Sequence, residues 1–169
     1  MILARHTRIG VEADVCYGQT DVPLADTFER EASDLLRRLP HADRLLTSPL
    51  IRCAQLAQRI STATGLEPEV DHRLKEMDFG AWEGRRWSEI PREEIDAWND
   101  DILMARPHGG ESVAMLEERT AAALSDYRST GDVCLVVTHG GVVRSAMRLV
   151  GDTAEWPPTI PFGSFVILD

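Results

Sequence analysis

The segment V-C-L-V-V-T-H-G-G, residues Val133–Gly141, contains the strongest buried-strand signal in the chain and decides the fold. Its first part, Val133–Val137, is an uninterrupted apolar run, which is typical of a central strand that is covered on both faces. The run ends at a Thr-His pair and two glycines, and Val142–Val150 then has the apolar spacing of a helix. A buried strand that leads directly into a helix is typical of an α/β fold with a parallel sheet.

The same alternation of strands and helices continues on both sides of this segment. Short apolar runs predict further strands at Ile2–Arg5, Ala42–Leu46, Glu67–Val70 and Ser164–Leu168. Helical spacing predicts helices at Thr27–Leu39, from Ser48 towards Gly65, at Glu93–Leu103 and at Glu111–Tyr127, with Ser48 as the N-cap of the second and Pro49 as its first residue. The pattern predicts a three-layer α/β sandwich in which helices flank a mostly parallel sheet.

The length and composition indicate one globular domain. With 169 residues, of which 43% are hydrophobic and 27% charged, residues 1–169 are expected to form a single domain. The net charge of −10 argues against nucleic acid and against an anionic membrane surface, because both bind Lys and Arg. A small anionic substrate remains compatible with this charge, since a cleft can concentrate positive charge locally.

Cysteine usage and the absence of targeting signals predict a cytoplasmic protein. Cys16, Cys53 and Cys134 are odd in number and far apart, which indicates neither a disulfide framework nor a zinc site. No apolar run approaches the ~18 residues of a membrane span, and no basic-then-apolar leader precedes the first strand. We therefore expect a cytoplasmic protein with reduced thiols.

Basic side chains follow three of the predicted strands at the points where the strands end. Arg5 and His6 follow the first strand, Arg52 lies in the first turn of the helix after the second, and His139 follows the central strand. The carboxyl ends of parallel strands meet at one edge of a sheet, and helix N-termini attract anions. The sequence therefore predicts an anion site at this edge, built from two histidines and two arginines.

A carboxylate, Glu76, is expected to join these residues from the irregular stretch L-K-E-M-D-F-G-A-W-E-G at Leu74–Gly84. Taken alone, each of these histidines, arginines and acids is most often a surface residue or a satisfied core residue. We keep that interpretation for His41, His72 and His108. Two histidines that each follow an apolar strand in one small domain favour a function for His6 and His139.

Four motifs in order resemble those of the histidine phosphatase superfamily, which includes the cofactor-dependent phosphoglycerate mutases. They are A-R-H-T at Ala4–Thr7, T-S-P-L-I-R at Thr47–Arg52, the acid-bearing stretch at Leu74–Gly84, and V-T-H-G-G at Val137–Gly141. Within the superfamily, C-Y-G-Q-T-D-V-P-L at Cys16–Leu24 and E-M-D-F-G-A-W-E-G look most like the α-ribazole 5′-phosphate phosphatases of cobalamin assembly. The resemblance covers most of the chain and implies the same fold.

The resemblance also implies a role for each residue of the site. His6 would be the nucleophile that forms a phosphohistidine, and Arg5 and Arg52 would hold the phosphoryl oxygens. His139 would donate a hydrogen bond to these oxygens in the transition state. Glu76 would protonate the leaving alkoxide and then accept a proton from the attacking water. No metal and no cofactor would be required, because these arginines and histidines supply the positive charge.

Two residues depart from the pattern of the family. Thr7 stands where the family has glycine, which adds a side chain next to the nucleophile. Glu12 stands where the mutases have asparagine, and an acidic residue there would not help to bind phosphate. Substrate binding is therefore assigned to Gln19, Thr20 and Gly140, with the first two expected to line the pocket.

The expected function is hydrolysis of a small phosphorylated metabolite, with α-ribazole 5′-phosphate as a candidate substrate. One alternative is a phosphoglycerate mutase, although the 55 residues between Gly84 and Gly140 leave little chain for a lid that would retain an intermediate. Another is a non-catalytic module that binds phosphorylated partners, which the intact catalytic set disfavours. Trp82, Trp87 and Trp98 are either core residues or a platform for an aromatic leaving group. The sequence leaves the oligomeric state open.

Overall fold

The sheet of this protein has five short strands, in a computed structural model that describes residues 1–151, 156 and 158–169. The strands are β1 (Ile2–Arg5), β2 (Arg44–Thr47), β3 (Pro68–Val70), β4 (Cys134–Thr138) and β5 (Phe165–Ile167). Their order is β3-β2-β4-β1-β5, and all pairs are parallel except β1 with β5. The register aligns Arg5 with Thr138 and Thr47 with Val137. The carboxyl ends of β1, β2 and β4 therefore lie side by side.

The helices of the described residues cover both faces of this sheet. They are α1 (Phe28–Leu36), α2 (Ile51–Thr64), α3 (Arg92–Asp100), α4 (Val113–Ser129) and α5 (Gly140–Gly151). Ile2 and Ala4 of β1 pack with α1 and α2, whereas Leu3 packs with α4 and α5 on the other face, as the alternation of side chains along a strand requires. The predicted three-layer α/β sandwich is confirmed. Among the described residues, no helix is long and apolar enough to cross a membrane.

The start of α2 differs from the prediction that Ser48 caps it and Pro49 opens it. The helix begins at Ile51 with Leu50 as its N-cap, and Asp21 accepts a hydrogen bond from the Ile51 N–H (2.8 Å). Ser48 is still in the sheet layer, because its N–H donates to the carbonyl of Val137 (3.0 Å). The hydroxyl of Ser48 is thus available to the site rather than to the helix.

The chain between β3 and α4, residues 71–112, contains no strand and is called the connecting segment below. It consists of short 3₁₀ turns at His72–Leu74, Gly80–Trp82 and Trp87–Glu89, followed by α3. Its small apolar cluster is centred on Trp82, which is fully buried and donates its indole N–H to Glu94 (2.6 Å). Trp82 is therefore a core residue.

The antiparallel direction of β5 has a consequence for the site. Residues that precede an antiparallel edge strand reach the same edge of the sheet as residues that follow its parallel neighbours. The N–H of Gly163 donates to the carbonyl of His6 (3.0 Å), and the N–H of Arg5 donates to the carbonyl of Ser164 (2.9 Å). The chain just before β5 therefore lies against the first predicted site residues.

Candidate active site

The structure brings the basic residues of the three strand ends together. His6, Arg52 and His139 are fully buried, and the imidazole centroids of His6 and His139 are 5.2 Å apart. The Nε of Arg52 lies 3.2 Å from Nδ1 of His139. Arg5 contributes a second guanidinium from the end of β1. The parallel register produces this arrangement, because β1, β2 and β4 end at the same level.

His6 is held in one tautomer with one nitrogen left over. Its Nδ1 lies 2.7 Å from the carbonyl oxygen of Thr7, so Nδ1 carries the hydrogen and donates it. Its Nε2 then has a lone pair and no hydrogen-bond partner within the described part of the chain. Burial, followed by the charge of Arg52, lowers the pKa of His6 to about 3, and Arg5 acts in the same direction. His6 is therefore a neutral imidazole at pH 7.

Arg52 is bound by three protein acceptors that fix the plane of its guanidinium. Its Nη2 donates to the carbonyl of Gly18 (2.6 Å), its Nη1 donates to the carbonyl of Thr20 (2.9 Å), and its Nε donates to His139. The guanidinium carbon also lies 5.1 Å from the ring centroid of Tyr17. A guanidinium has five N–H groups, so two remain that no described residue accepts and that could donate to a bound anion.

Arg5 is held differently, with a backbone carbonyl and an aromatic ring among its partners. Its Nη1 donates to the carbonyl of Ile160 (2.7 Å), and its guanidinium carbon lies 3.7 Å from the ring centroid of Phe162. A Cβ at Gly140 would lie 3.3 Å from Nε of Arg5, so the glycine leaves room for this side chain. Gly140 thus lies at the site, where the sequence analysis placed it.

His139 has a protein partner on each ring nitrogen. Because Nδ1 accepts from Arg52, Nε2 carries the hydrogen and donates it to the hydroxyl oxygen of Ser48 at 2.8 Å. Burial lowers the pKa of His139 well below its ordinary value, and the neighbouring His6 and Arg52 add to the effect. His139 is therefore neutral, and its donation to a phosphoryl oxygen, which stays a prediction, requires Nε2 to leave Ser48.

Glu76 lies at the N-terminus of α5, next to the strand-end residues. Its Oε1 accepts hydrogen bonds from the N–H groups of Met77 (3.0 Å) and Gly141 (3.1 Å). A Cβ at position 141 would collide with Oε1 of Glu76. The second glycine of T-H-G-G therefore makes space for the carboxylate, which the sequence analysis did not anticipate.

Arg119 on α4 fixes the backbone that carries Glu76, and the sequence analysis missed it. Its Nη1 donates to the carbonyls of Arg73 (2.6 Å) and Lys75 (2.7 Å), and its Nη2 donates to the carbonyl of Glu76 (2.9 Å). The carboxylate of Glu111 accepts the remaining two N–H groups at 2.7 and 2.8 Å. All five N–H groups are used. An arginine on a mixed helix face gives no sequence signal of such a role.

The cleft next to these residues has two lobes that share Arg5, Glu76, Phe79 and Thr159. The larger lobe has a volume of about 610 Å³ and the smaller one about 380 Å³. Aromatic side chains line both lobes: Tyr17, Trp87 and Phe162 in the larger, and Trp98 and Trp156 in the smaller. Trp87 and Trp98 thus face the cleft as well as the small apolar cluster around Trp82. Phe162, in the turn P-F-G, is another site residue that the sequence analysis missed.

The structure does not bring Gln19 and Thr20 to the cleft wall. Gln19 donates its side-chain N–H to the backbone carbonyl of Glu76 (3.0 Å), and the Thr20 hydroxyl donates to Glu83 (2.5 Å). The carbonyl of Thr20 accepts a hydrogen bond from Arg52, whereas the side chain of Gln19 supports the backbone of Glu76. A direct contact of their side chains with substrate stays a prediction without support from these positions.

The two departures from the family pattern have different surroundings. Thr7 is fully buried, and its hydroxyl has no hydrogen-bond partner in the described chain. Glu12 lines the larger lobe and forms an ion pair with Arg86, which explains how an acidic residue is accommodated there. Among the described residues, no group of three or more His, Cys, Asp or Glu side chains could hold a metal ion. Independence from metal stays a prediction.

Comparison with known proteins identifies relatives of this chain. The sequence profile described as histidine phosphatase superfamily, branch 1, matches residues 1–161. A probable phosphoglycerate mutase of Klebsiella pneumoniae is 34% identical over 73% of this chain and 60% of its own length. A homologue with the same description in Photorhabdus laumondii is 33% identical over the same shares. The chain therefore spans about 60% of the length of these curated relatives.

Solved structures with the same fold include two phosphatases. The α-ribazole phosphatase of Shigella flexneri is 28% identical, with a TM-score of 0.83 over 97% of this chain and 87% of that one. A mycobacterial glucosyl-3-phosphoglycerate phosphatase is 24% identical, with a TM-score of 0.83 over 98% and 87%. At that lower identity, the second likeness concerns the fold alone.

Proposed function

The chain belongs to branch 1 of the histidine phosphatase superfamily, and on that premise we propose that it hydrolyses phosphomonoesters through a phosphohistidine on His6. The observation that carries the proposal is the state of His6. Its Nδ1 is fixed by the Thr7 carbonyl, its Nε2 is left with a lone pair, and its pKa is lowered to about 3. A neutral imidazole between two guanidinium groups is suited to attack a phosphoryl group.

In the first step, Nε2 of His6 attacks phosphorus and the bond to the leaving oxygen breaks. Arg5 and the two remaining N–H groups of Arg52 bind the equatorial oxygens, whose negative charge they stabilise in the transition state. Glu76 gives its proton to the leaving oxygen, so that an alcohol departs. The step yields a phosphohistidine and the carboxylate of Glu76.

In the second step, a water molecule attacks the phosphohistidine. Glu76 accepts a proton from this water, the N–P bond breaks, and His6 recovers its lone pair. Inorganic phosphate leaves, and Glu76 is protonated again for the next cycle. Glu76 lines both lobes of the cleft. From this position it can donate a proton to the leaving oxygen and then accept one from the water.

The cleft supports a bulky leaving group with an aromatic part. The larger lobe has a volume of about 610 Å³, which is enough for a molecule larger than glycerate. The edges and faces of Tyr17, Trp87 and Phe162 can contact a planar ring. Together with the likeness to the α-ribazole phosphatase of Shigella flexneri, this makes α-ribazole 5′-phosphate the first substrate to test.

A phosphoglycerate mutase is the second candidate, because curated relatives at 33–34% identity bear that description. A mutase returns the phosphoryl group to the substrate, so it must keep water away from the phosphohistidine. The 55 residues between Gly84 and Gly140 provide little chain for such a lid. Isomerisation of 3-phosphoglycerate, followed with the wild-type protein, would favour the mutase if it exceeds hydrolysis.

The central test is hydrolysis of p-nitrophenyl phosphate and α-ribazole 5′-phosphate by wild type and His6→Ala. The wild type is expected to release phosphate in the presence of EDTA. His6→Ala is expected to lose activity by about 10⁴-fold or more and to retain no acid-labile phosphate after quenching. His41→Ala, at an exposed histidine, is the matched control and should match the wild type.

Three outcomes would overturn this proposal. Full activity of His6→Ala would show that His6 is not the nucleophile. Complete inhibition by EDTA would show that the reaction depends on a metal ion. Binding of phosphorylated ligands by a wild type that hydrolyses none of them would instead support the non-catalytic module.

A further inference from the structure

The loop of residues 17–20, called the clamp loop here, has two faces with different partners. Its carbonyl oxygens on Gly18 and Thr20 accept the two Nη donors of Arg52. Its N–H groups on Gln19 and Thr20 donate in the other direction, to the carboxylate of Glu83. The clamp loop is thus a layer of peptide groups between an arginine of the site and an acid of the connecting segment.

Glu83 is the only side chain that binds that second face among the described residues, although the N–H of Thr20 also donates to the carbonyl of Tyr17 (2.7 Å). Its Oε1 accepts from the N–H of Gln19 (2.9 Å) and from the N–H of Phe79 (3.1 Å). Its Oε2 accepts from the N–H of Thr20 (2.8 Å) and from the Thr20 hydroxyl (2.5 Å). Four hydrogen bonds to one carboxylate are charge-assisted and fix both oxygens in place.

The backbone of the clamp loop needs this anchor. Gly18 has a φ of +41°, in a region that favours glycine, and a Cβ there would collide with Oε1 of Glu83. The loop has no strand pairing at Gly18–Thr20, and besides Glu83 a hydrogen bond from the N–H of Thr20 to the carbonyl of Tyr17 (2.7 Å) closes the turn. Without the carboxylate, the turn hydrogen bond to Tyr17 would remain, but the N–H of Gln19 would lose its acceptor and the carbonyls of Gly18 and Thr20 could turn away from Arg52.

We propose that Glu83 is a positioning residue that holds the guanidinium of Arg52 at the phosphoryl site through the clamp loop. The inference rests on the proposed function, since it assigns Arg52 to the transferred phosphoryl group. Glu83 binds the clamp loop and the N–H of Phe79, and it lines neither lobe of the cleft. Its negative charge, one layer behind Arg52, aligns the peptide dipoles whose carbonyl ends bind the guanidinium.

A glutamine at position 83 separates this role from simple packing, because it has almost the same shape. The amide retains one acceptor oxygen but presents an NH₂ group to the N–H of Thr20, so at least one hydrogen bond is lost. Arg52 can then shift, and a displacement of about 1 Å at a reacting group costs up to ~10²-fold in rate. We expect Glu83→Gln to lower kcat/KM for p-nitrophenyl phosphate about 10- to 100-fold.

The experiment combines activity with binding of orthovanadate, an oxyanion that probes the phosphoryl site directly. Glu83→Gln should weaken orthovanadate binding, measured by calorimetry, by about the same factor as kcat/KM. Glu94→Gln is the matched control, because Glu94 contacts the same 3₁₀ turn through Trp82. That control should stay within about threefold of the wild type in both measurements.

A double-mutant cycle shows whether Glu83 acts through Arg52. In the Arg52→Ala background, Glu83→Gln should have no further effect on orthovanadate binding, because the guanidinium that it positions is gone. A milder variant, Thr20→Val, removes one of the four hydrogen bonds and should cost about two- to fivefold in the wild-type background only. This variant keeps the test usable if Glu83→Gln does not fold.

The outcomes distinguish this inference from the proposed function. The inference about Glu83 would be overturned if Glu83→Gln had the kinetics and the orthovanadate affinity of the wild type. It would also be overturned if Glu83→Gln weakened orthovanadate binding by the same factor in the Arg52→Ala background as in the wild type. A wild type without phosphatase activity would overturn the proposed function, and orthovanadate binding would still decide the role of Glu83.

Discussion

The site is built by two regions that achieve order in different ways. At the strand ends, His6, Arg52 and His139 are fully buried. The register of the parallel sheet places them next to one another. In the connecting segment, Glu76 is held by side-chain hydrogen bonds from Arg119 and by the N-terminus of α5. The proposed nucleophile therefore belongs to the core of the fold, whereas the proposed acid belongs to a segment attached to it.

This difference predicts how each half responds to substitution. Hydrogen bonds of a sheet are numerous and cooperative, so no single side chain outside the strands determines where His6 lies. The backbone at Glu76 depends on one guanidinium for three of its carbonyl contacts in residues 73–76. One substitution can therefore displace Glu76 and leave His6 in place.

Arg119→Met should give the largest effect of this kind. It leaves the carbonyls of Arg73 and Lys75 without their donor, at a cost of about 2 kcal/mol in the free energy of unfolding. Among the described residues, the carbonyl of Glu76 keeps only the donor from Gln19, and the carboxylate of Glu111 keeps only the N–H of Asp78. Steady-state kinetics should show kcat/KM reduced about 100-fold for substrates with poor leaving groups, because Glu76 no longer reaches the leaving oxygen. Arg119→Lys should recover little, because an ammonium cannot make five forked contacts.

Arg148→Met is the control for that substitution. Arg148 binds Glu117 across α4 and α5 at a side-chain exposure of 20%, close to the 18% of Arg119. Arg148→Met should lower the free energy of unfolding, but it should reduce kcat/KM much less than Arg119→Met does. Equal losses of activity in both variants would mean that Arg119 acts through global stability and not through Glu76.

Gly141→Ala should have the next largest effect, and it should separate activity from stability. The added Cβ collides with Oε1 of Glu76, so the carboxylate must leave the helix N-terminus. We expect kcat to fall about 10- to 100-fold with little change in KM. The free energy of unfolding should stay level or rise slightly, because alanine favours a helix more than glycine does. A large loss of stability would instead indicate that the helix start itself was disrupted.

The dependence of stability on pH should give the smallest effect and tests the strand-end region. The pKa of His6 is about 3 in the folded protein and ~6.5 when unfolded, so below pH 6.5 the unfolded chain binds more protons. The free energy of unfolding should therefore fall as the pH falls from 7 to 5.5. His6→Gln removes this contribution and should lose about 1 kcal/mol less than the wild type over that range, measured by urea unfolding. Identical slopes would place His6 in a solvated environment.

The strand-end half of the site could be predicted from the sequence. An apolar run followed by His139, and another followed by Arg5 and His6, are local patterns, and the rules of parallel sheets bring such ends together. Ser48 was misassigned because a helix cap and a hydrogen bond to His139 use the same hydroxyl, and the sequence around Ser48 does not distinguish them.

The connecting-segment half could be predicted only in part. The motif at Leu74–Gly84 predicts Glu76. The residues that hold Glu76 and Arg52 in place are distant in sequence, and no hydrophobic periodicity marks them. Arg119 lies on α4 and Glu83 lies in a turn, and each acts on backbone groups, which every residue has. Phe162 reaches the site only because β5 is antiparallel, and strand direction is not encoded locally.

The antiparallel direction of β5 also affects how this protein could diversify. Thr159 and Phe162 line the cleft from the chain just before β5, at the edge of the sheet. Lengthening a surface connection costs only ~0.6 kcal/mol per doubling, so insertions there would reshape the cleft at little cost to the fold. The same insertion after β1 or β4 would displace His6 or His139. The wall of the cleft can therefore change while His6 and His139 stay in place.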